Sequence, residues 1–376
     1  MRALVITNKV RKIPSGFIET TLNPLLKKGY EVVWAANFKE LKINKTDIPC
    51  SILETDSQSN PISIGSFKTY CKVCNYLKTN KVDLIFCSTP IGGLIGRICG
   101  KKYKIQKVIY QAHGFLFFKG GPKFGFFYKM LEKHLARYTD ALITINKEDY
   151  QQALKFKLKN DSKNVFLVNG SGANYFGPQL NEVEKEAQRQ KLKIDKCDFV
   201  FISIGELNKN KNVINTVKAF KQISIKNNCK LLICGEGKQE KKIRNFIKKN
   251  NLANDVFLLG YRTDVKSLLS ISNCYISTSY REGLSRTVGE ALASGLPCVV
   301  SNKRGLSDWI ETDYGFLVEP NSVKSIARAM ASVISDKRPK YYADYGIKKV
   351  DNYSSKVVSK QIDNILSIVI SKGNQQ

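Results

Sequence analysis

Two glutamates, Glu282 and Glu290, flank a stretch whose residue types suit the binding of a sugar phosphate. The polar segment up to Leu284 predicts a loop, and the small residues from Thr287 onward predict a helix. The first N–H groups and the positive dipole end of such a helix bind phosphate. Carboxylates only accept hydrogen bonds, so Glu282 suits sugar hydroxyls and Glu290 suits the two hydroxyls of a ribose. The residues predicted to line this helix start are Gly283, Leu284, Ser285, Arg286 and Thr287.

The same residues have a purely structural interpretation. Thr287 followed by Glu290 has the spacing of a capping box, in which the glutamate only satisfies the start of the helix. The sequence around Thr287 leaves both interpretations open. The buried strand predicted at Pro297–Ser301 and the Gly315–Val318 run that follows it favour the binding site.

Further candidate site residues lie at the ends of predicted strands. His113 and Gly114 follow the strand Val108–Ala112, and Gly16 lies in the segment that opens a helix after the first strand. Ligands of doubly wound sheets bind at the carboxyl ends of the strands, so His113 is a candidate catalytic residue. Gly16 would let the backbone approach a diphosphate or an acceptor. His134, in a predicted helix, is interpreted as structural.

The second half of the chain repeats this arrangement. Gly205 follows the strand Phe199–Ile204 and leads to Lys211, and Gly235 follows the strand Lys230–Cys234. Arg262 follows a third strand and is predicted to lie by the base of a nucleotide. For Lys211, a solvated loop lysine remains an alternative.

The elements that must position these residues alternate along the chain, and short β-branched runs followed by amphipathic stretches predict parallel strands with helical crossovers. The aperiodic segment from Gly170 to Glu186 is interpreted as a linker. A chain of 376 residues exceeds the usual size of one core, which also predicts two domains. Strands are predicted at Ala3–Thr7, Glu31–Ala35, Leu84–Ser88, Val108–Ala112, Ala141–Ile145 and Val165–Val168, and then at Phe199–Ile204, Lys230–Cys234, Val256–Leu259, Cys274–Thr278, Pro297–Ser301 and Gly315–Val318.

The net charge of +29 calls for an anionic partner. No zinc finger, helix-turn-helix or RNA-binding aromatic signature accompanies it, which argues against specific nucleic-acid binding. Lys129, Lys133 and Arg137 repeat at helical spacing behind a cluster of aromatic residues, Phe124 to Tyr128, and such a face can lie on an anionic membrane. An ordinary crossover helix with a solvated lysine face is the alternative.

The cysteines and the apolar runs indicate the compartment. The ten cysteines lie mostly within apolar runs, as in reduced cytosolic proteins, and Cys71 and Cys74 have no second pair that would complete a zinc site. The sequence shows no signal peptide and no run of about 20 apolar residues. We therefore expect a cytoplasmic protein, peripheral on the membrane.

The order Glu-Gly loop, helix, Gly295-x-Pro297 strand and Gly315-Phe316-Leu317-Val318 resembles the family-four (GT4) retaining glycosyltransferases of the GT-B fold. Tyr110–Phe115 and Ala136–Asp140 resemble the bacterial capsular and exopolysaccharide enzymes in particular. This resemblance implies an α/β fold of two Rossmann-like doubly wound domains facing an interdomain cleft. The implied domains are an acceptor-binding domain at 1–178, a nucleotide-sugar-binding domain at 179–352, and a C-terminal helix at 353–376 that crosses back to the N-terminal domain.

The resemblance also implies the reaction. A sugar would pass with retained configuration from a nucleotide diphosphate, UDP as the first expectation, to a polyprenyl-diphosphate-linked saccharide. A hexose or an acetamidodeoxyhexose such as N-acetylfucosamine is the expected sugar. His113 and Glu282 would act on the donor sugar, and Lys211 would offset the charge of the leaving diphosphate. The family usually has arginine where this chain has Glu206, and Lys209 or Arg286 are candidates to compensate.

Other classes are set against this interpretation. No Asp-x-Asp and no carboxylate–histidine cluster at metal-ligand spacing occurs, so we expect no metal and no cofactor beyond the nucleotide-sugar substrate. A nicotinamide oxidoreductase would need Gly-x-Gly-x-x-Gly directly after a strand, and none is present. A non-catalytic basic protein that binds membrane or nucleic acid stays the alternative.

Overall fold

The computed structural model describes residues 1–10, 15–41, 47–58, 63–118, 120–121, 124–173, 180–224, 227–336 and 338–371. The chain forms two compact units, Met1–Asn174 with Tyr353–Gln376, and Tyr175–Asn352. Each unit is a parallel sheet with helical crossovers, as the alternation of strands and helices predicted.

The first unit contains a seven-stranded parallel sheet of order β3-β2-β1-β4-β5-β6-β7. Its strands are β1 (Arg2–Lys9), β2 (Glu31–Asn37), β3 (Ser51–Glu54), β4 (Leu84–Ser88), β5 (Lys107–Ala112), β6 (Ala141–Thr144) and β7 (Val165–Leu167). Six of the seven overlap predicted strands; β3 was missed. It is an edge strand with little burial, so its sequence lacks an apolar run.

The helices of the first unit begin at recognisable signals. Ser63 caps α3 by accepting a hydrogen bond from the Ser66 N–H, and α4 begins with Pro90 behind the capping residue Thr89. A π-helical turn, Ile18–Leu22, separates the first two helices. The helices are α1 (Ser15–Phe17), α2 (Asn23–Lys27), α3 (Ile64–Thr79), α4 (Pro90–Lys102), α5 (Gly125–Ala136) and α6 (Lys147–Ala153).

The second unit contains a six-stranded parallel sheet of order β10-β9-β8-β11-β12-β13. Its strands are β8 (Phe199–Ile204), β9 (Cys229–Cys234), β10 (Val256–Leu258), β11 (Cys274–Ser277), β12 (Cys298–Ser301) and β13 (Phe316–Val318), and all overlap the predicted ones. Its helices are α7 (Glu182–Lys191), α8 (Val213–Ser224), α9 (Glu240–Lys249), α10 (Val265–Ser270), α11 (Arg286–Ala293), α12 (Val323–Ser335) and α13 (Pro339–Asp351).

The predicted linker, Gly170 to Glu186, is wrong at its far end because α7 begins at Glu182. A capping box between Asn181 and Glu184 starts this helix. The helix buries none of its residues, so it lacks the apolar periodicity by which sequence patterns reveal helices.

The last helix, α14 (Ser355–Ser371), belongs to the first unit and packs on α2 and the π-helical turn. Lys28 Nζ lies 3.1 Å from Asp363 Oδ1 and donates a 2.8 Å hydrogen bond to Ser367 Oγ. The apolar face of α14 is buried, with Val358, Ile362, Ile365, Leu366 and Val369 pointing inward.

The sheet orders fix where ligands can bind. Strand order reverses between β1 and β4 in the first sheet and between β8 and β11 in the second. In doubly wound sheets the loops at such a reversal, at the carboxyl ends of the strands, diverge and leave a crevice for ligands. The loops after β8 and β11 contain the predicted residues Lys211 and Glu282.

Candidate active site

The structure brings Lys211 and Glu282 into contact. Lys211 Nζ lies 2.7 Å from Glu282 Oε1, and both side chains are largely buried, with 23% and 17% exposed. The Lys211 chain passes over Gly205, where an added Cβ would lie 3.2 Å from the lysine Cε. A glycine at the end of β8 therefore leaves the space in which the lysine reaches the glutamate.

Backbone hydrogen bonds hold these two loops together. The Tyr280 N–H donates to the Asn210 carbonyl at 2.8 Å, and Asn210 Nδ2 donates to the Arg281 carbonyl at 3.0 Å. Asn212, which has φ +53°, is buried and donates through Nδ2 to the carbonyls of Thr278 and Pro320. An asparagine tolerates this left-handed conformation and satisfies buried carbonyls at the same time. Lys211 and Glu282 are thus fixed by their loops as well as by their charges.

The ends of β8 and β9 approach each other through glycines. Gly235 has φ +140°, and an added Cβ would lie 2.0 Å from the Gly205 carbonyl oxygen. The Gly205 N–H donates to Cys234 O, and the Leu207 N–H donates to Glu236 O. Gly205 and Gly235 therefore keep the two loops in backbone contact beside Lys211.

The amino end of α11 lies in the loop that carries Glu282. The helix starts at Arg286 with Ser285 as its N-cap, and within the described chain the Ser285 side chain accepts no capping hydrogen bond. Thr287 Oγ1 lies 2.7 Å from Tyr275 Oη instead. The capping-box interpretation is wrong, because Thr287 is inside the helix and Glu290 lies beyond the third helical position. Gly283 and Leu284 complete the turn between Glu282 and the helix.

Glu290 occupies a half-buried position on α11. Burial raises the pKa of its carboxyl group, while Arg286 and Lys266 act in the opposite direction. Arg286 is 4.0 Å away and largely exposed. A half-buried carboxylate near a free helix start has the acceptor atoms that a diol requires.

Two arginines beside Glu282 were not singled out from the sequence. Arg304, after β12, is buried; its Nε donates to the Glu282 carbonyl at 3.2 Å, and its own carbonyl accepts from the Glu282 N–H at 3.1 Å. Arg281 is half-buried, and its pKa is lowered first by burial and then by the charge of Arg304. A signal was present, because Arg304 and Gly305 follow a buried strand at the same edge of the sheet.

The remaining predicted residues of this unit lie outside the Lys211–Glu282 contact. Arg262 forms a two-fold contact with Asp264, with Nε to Oδ1 at 2.8 Å and Nη2 to Oδ2 at 2.6 Å, which lowers the pKa of the Asp264 carboxyl. Glu206 and Lys209 are exposed. Arg262 therefore has a carboxylate partner two residues along its own loop.

In the first unit, His113 directly follows β5. Its Nε2 is buried and has no hydrogen-bond partner among the described residues, and burial lowers the pKa of the imidazole to about 4. The side chain is therefore neutral at physiological pH. Asp149, which is fully buried, accepts a 3.0 Å hydrogen bond from the Phe115 N–H and a 2.8 Å bond from Asn146 Nδ2. This carboxylate, which the sequence analysis did not single out, anchors the loop behind His113.

The other first-unit predictions are partly described. An added Cβ at Gly16 would lie 2.3 Å from the Gly172 carbonyl oxygen, so this glycine allows close backbone packing. Lys12, Ile13 and Pro14 of the same predicted loop lie outside the described residues. His134, in the last turn of α5, has Nε2 2.8 Å from the Oη of Tyr138, which follows the helix.

Among the described residues no group of three or more His, Cys, Asp and Glu side chains could hold a metal ion. No helix in this part of the chain has the length and apolar character needed to cross a bilayer.

Two family models match the chain. Residues 184–349 match the model described as glycosyl transferases group 1, and residues 12–146 match that described as glycosyl transferase 4-like. The first match covers most of the second unit, and the second covers the loops that contain Gly16 and His113.

Two similar bacterial proteins are named as glycosyltransferases. EpsD of Bacillus subtilis, named as a glycosyltransferase, is 31% identical over 307 residues, which are 80% of this chain and 79% of EpsD. The UDP-Gal:alpha-D-GlcNAc-diphosphoundecaprenol alpha-1,3-galactosyltransferase of Escherichia coli is 30% identical over 281 residues, 73% of this chain and 72% of that protein. The crystal structure of HepE from Anabaena, in complex with UDP and glucose, superposes with a TM-score of 0.77 at 18% identity, covering 98% of this chain and 100% of HepE.

Proposed function

Because the chain belongs to the family-four glycosyltransferases of the GT-B fold, we propose that it transfers a sugar from a UDP-sugar to a polyprenyl-diphosphate-linked saccharide, with retention of configuration. The observation that supports this most is the Lys211–Glu282 contact beside the uncapped start of α11. A cation and free N–H groups can bind the diphosphate of a sugar nucleotide, and a carboxylate can accept hydrogen bonds from its hydroxyls.

The donor half of the reaction rests on the second unit. The bond between the anomeric carbon and the diphosphate oxygen breaks, and the negative charge stays on the leaving diphosphate. The α11 N–H groups and the Lys211 ammonium stabilise that charge. Glu282 accepts hydrogen bonds from the donor sugar, and Glu290 accepts them from the ribose. Arg281, on the loop of Glu282, and Arg304, after β12, add positive charge beside it.

Helix dipoles and fixed cations take the place of a divalent ion in this scheme, so we expect turnover without metal. Residues 281–290 contain the groups that such a reaction needs, apart from Lys211. The acceptor hydroxyl forms the new bond to the anomeric carbon, and its proton passes to the leaving diphosphate. Retention means that the acceptor oxygen ends on the face from which UDP left.

His113 serves the donor sugar in this proposal. Its low pKa keeps the imidazole neutral, so Nε2 offers one uncharged hydrogen-bonding atom rather than a cation. Asp149 holds the following loop, which restricts where the imidazole can point. The loop geometry thus supports an orienting role for His113.

The names of similar proteins support the proposed acceptor and nucleotide. The Escherichia coli relative is named for UDP-galactose and a diphosphoundecaprenol acceptor, and the HepE crystal contains UDP. A lipid-linked acceptor implies that the enzyme works at the inner face of the cell membrane, in the synthesis of a capsular polysaccharide or exopolysaccharide. The sugar is a hexose or an acetamidohexose.

The test is a product assay with the purified enzyme. UDP-glucose, UDP-galactose, UDP-N-acetylglucosamine and a UDP-acetamidodeoxyhexose are offered with undecaprenyl-diphosphate-linked N-acetylglucosamine, with and without EDTA. We expect UDP release coupled to a lipid-linked disaccharide, an α linkage by NMR from the α-configured donors, and the same rate in EDTA. A β linkage from an α-configured donor contradicts retention, and activity lost in EDTA and restored by manganese contradicts metal independence.

Matched variants tie the reaction to the site. Lys211→Ala should lower kcat/KM by about a hundredfold, since losing one charge-assisted contact to a transition state costs roughly 3 kcal/mol. Lys242→Ala, which removes an exposed lysine of α9 in the same unit, should stay within about twofold. Glu290→Gln should mainly weaken UDP binding, by about tenfold. Equal activity of all three variants would refute the assignment.

A further inference from the structure

Helix α5 of the first unit has an inverted distribution of side chains. Of its twelve residues only Gly125, Leu135 and Ala136 are buried, whereas its large apolar side chains face outward. The exposed fractions of Phe124, Phe126 and Phe127 are 71%, 64% and 67%. Met130 and Leu131, one turn further on, are also exposed. A crossover helix normally buries this kind of residue.

A buried ion pair fixes this orientation. Arg97 of α4 is 1% exposed, and its Nη1 lies 2.7 Å from Oε2 of Glu132 on α5. The Arg97 guanidinium also stacks on Tyr110 of β5, with Cζ 4.0 Å from the ring centroid. The Glu132 side of α5 therefore faces Arg97, and rotating the helix to bury its phenylalanines would separate a buried ion pair, which costs several kcal/mol.

Cations occupy the other end of the same helix. A cavity of about 370 Å³ is lined by Lys101 and Lys104 at the end of α4, by Arg137 and Tyr138 after α5, and by Lys159. Lys101 Nζ donates to Tyr138 Oη at 2.8 Å. Lys159 has a carboxylate partner, Asp140, at 3.2 Å. Among the described residues no carboxylate lies within ion-pair distance of Lys101, Lys104 or Arg137.

These features belong to one face. A helix of twelve residues is about 18 Å long, so the phenylalanines and the basic cavity lie at opposite ends of one short surface. Lys133 is exposed between them. Aromatic rings partition into the acyl boundary of a bilayer while cations meet the phosphates of the headgroups. Both requirements are met along α5, and no other described helix exposes so many large apolar side chains.

We propose that the first unit docks on an anionic phospholipid bilayer through α5, with Phe124, Phe126 and Phe127 inserted at one end and a lipid phosphate seated among Lys101, Lys104 and Arg137 at the other. This docking extends the proposed function, because it holds the enzyme at the surface that carries a lipid-linked acceptor. The inserted phenylalanines and the bound phosphate are two separate points of attachment for α5. The docking therefore sets an orientation on the membrane as well as an affinity.

The experiment is co-sedimentation of the full-length chain with vesicles, in the absence of donor and acceptor. Vesicles of phosphatidylcholine with about 30% phosphatidylglycerol are compared with phosphatidylcholine alone. We expect the wild-type chain to bind the anionic vesicles at least tenfold more strongly, and high salt to reduce that preference. Equal binding to both kinds of vesicle overturns the proposal.

Three double variants separate the two ends from general charge. Lys104→Asn with Arg137→Gln should weaken anionic-vesicle binding about tenfold or more; asparagine suits the φ of +51° at residue 104, so folding is kept. Phe126→Ser with Phe127→Ser should weaken binding to both kinds of vesicle. The control, Lys241→Gln with Lys248→Gln on α9, removes the same charge from exposed positions of the second unit and should stay within about twofold. A control that loses as much as the cavity variant overturns the proposal.

Two further readouts complete the test. The melting temperature and UDP binding, both measured by thermal shift, should be the same in all of these variants. An unchanged melting temperature shows that they are folded, and unchanged UDP binding keeps this inference separate from the proposed function. Inorganic phosphate at millimolar concentration should not displace the protein from vesicles. Displacement by free phosphate would mean that the cavity is a site for a soluble anion and would overturn the docking.

Discussion

At the scale of single residues, the pairing of Lys211 with Glu282 has the clearest consequence. The glutamate neutralises the lysine in the free enzyme, although the proposed reaction uses the lysine for the diphosphate and the glutamate for the sugar. Donor binding must therefore share each side chain between a substrate group and its protein partner. Because substrate groups and protein partners compete for these side chains, removing the glutamate should affect nucleotide binding and turnover in opposite directions.

Glu282→Gln should separate those effects. Removing the carboxylate leaves the Lys211 charge fully available, so UDP should bind as tightly as in the wild type or up to about threefold more tightly. The donor sugar loses a strong acceptor, so kcat should fall by about a hundredfold. Calorimetry with UDP and initial rates with the preferred UDP-sugar measure the two quantities. Weaker UDP binding together with an unchanged kcat would show that Glu282 holds the nucleotide instead.

His113 makes a prediction about pH. Its pKa in the folded protein is about 4 against an ordinary 6.5, because burial disfavours the charged ring. A lowered histidine pKa means that the unfolded chain binds the proton more readily, so this residue leaves stability intact above pH 6.5 and reduces it as pH falls toward 4. The loss reaches at most about 3 kcal/mol.

NMR of the protein labelled on its histidine rings tests this directly, since the chain has only two histidines. One ring signal should keep the chemical shift of a neutral imidazole at pH 5, and this signal should be absent in His113→Gln. That variant should also lose less stability between pH 6.5 and 5 than the wild type. A His113 signal that titrates near pH 6.5 would show that the ring is solvated and would remove the argument for a neutral imidazole.

How far the sequence predicts the site can be judged from these residues. The positions of Lys211, Glu282 and His113 are predicted from sequence because each follows a buried strand, and parallel strands present their carboxyl ends together. The strand before Arg304 also indicates its edge of the sheet. Its contact with the Glu282 carbonyl, like that of Asp149 with the Phe115 N–H, joins segments far apart in the sequence, so local patterns do not predict it. Local sequence patterns indicate the edge of a sheet on which a side chain lies, but not which other residues contact it there.

At the scale of elements, buried strands are predicted to within two residues while weakly buried elements are missed. β8 matches its prediction at both ends because five of its six residues are apolar, whereas β3 and α7 bury too little to leave a pattern. The loops between the strands depend on glycine conformation instead. Gly235 is the sharpest case, since its missing side chain is what lets the β8 and β9 loops touch.

Gly235→Ala should therefore destabilise the second unit by at least about 3 kcal/mol, because a Cβ would collide with the Gly205 carbonyl and φ is +140°. Gly260→Ala is the matched control in the same unit: φ is +65°, but the nearest atom to a Cβ is Glu236 Oε1 at 3.5 Å. It should cost about 1 kcal/mol. Thermal unfolding with and without UDP compares them. Equal losses would mean that backbone strain alone, rather than the contact between the loops, matters at residue 235.

At the scale of the whole molecule, both ends of the chain belong to the first unit. α14 follows the second unit in sequence but belongs to the first, where its apolar face packs on α2 and the π-helical turn. Asn169 N–H donates to Gln361 Oε1 at 3.0 Å, and a Cβ on Gly172 would lie 3.1 Å from the Ser355 Cα. The segment that leads out of the first unit is therefore held by the helix that returns to it.

This arrangement predicts which parts of the chain lose stability when the packing of α14 is weakened. Leu366→Ala removes a fully buried side chain and should cost about 2–5 kcal/mol, whereas Ile368→Ala removes an exposed one and should change stability by less than about 0.5 kcal/mol. Hydrogen exchange read by mass spectrometry locates the effect. In Leu366→Ala, exchange should rise in α2 and in residues 168–173, and the strands β8 to β12 should keep their wild-type protection. Faster exchange throughout the second unit would show that α14 stabilises both units, and no change in either unit would show that the helix is dispensable for the first. The contrast between the two substitutions matters because they are two residues apart on the same helix, so only burial against the first unit distinguishes them.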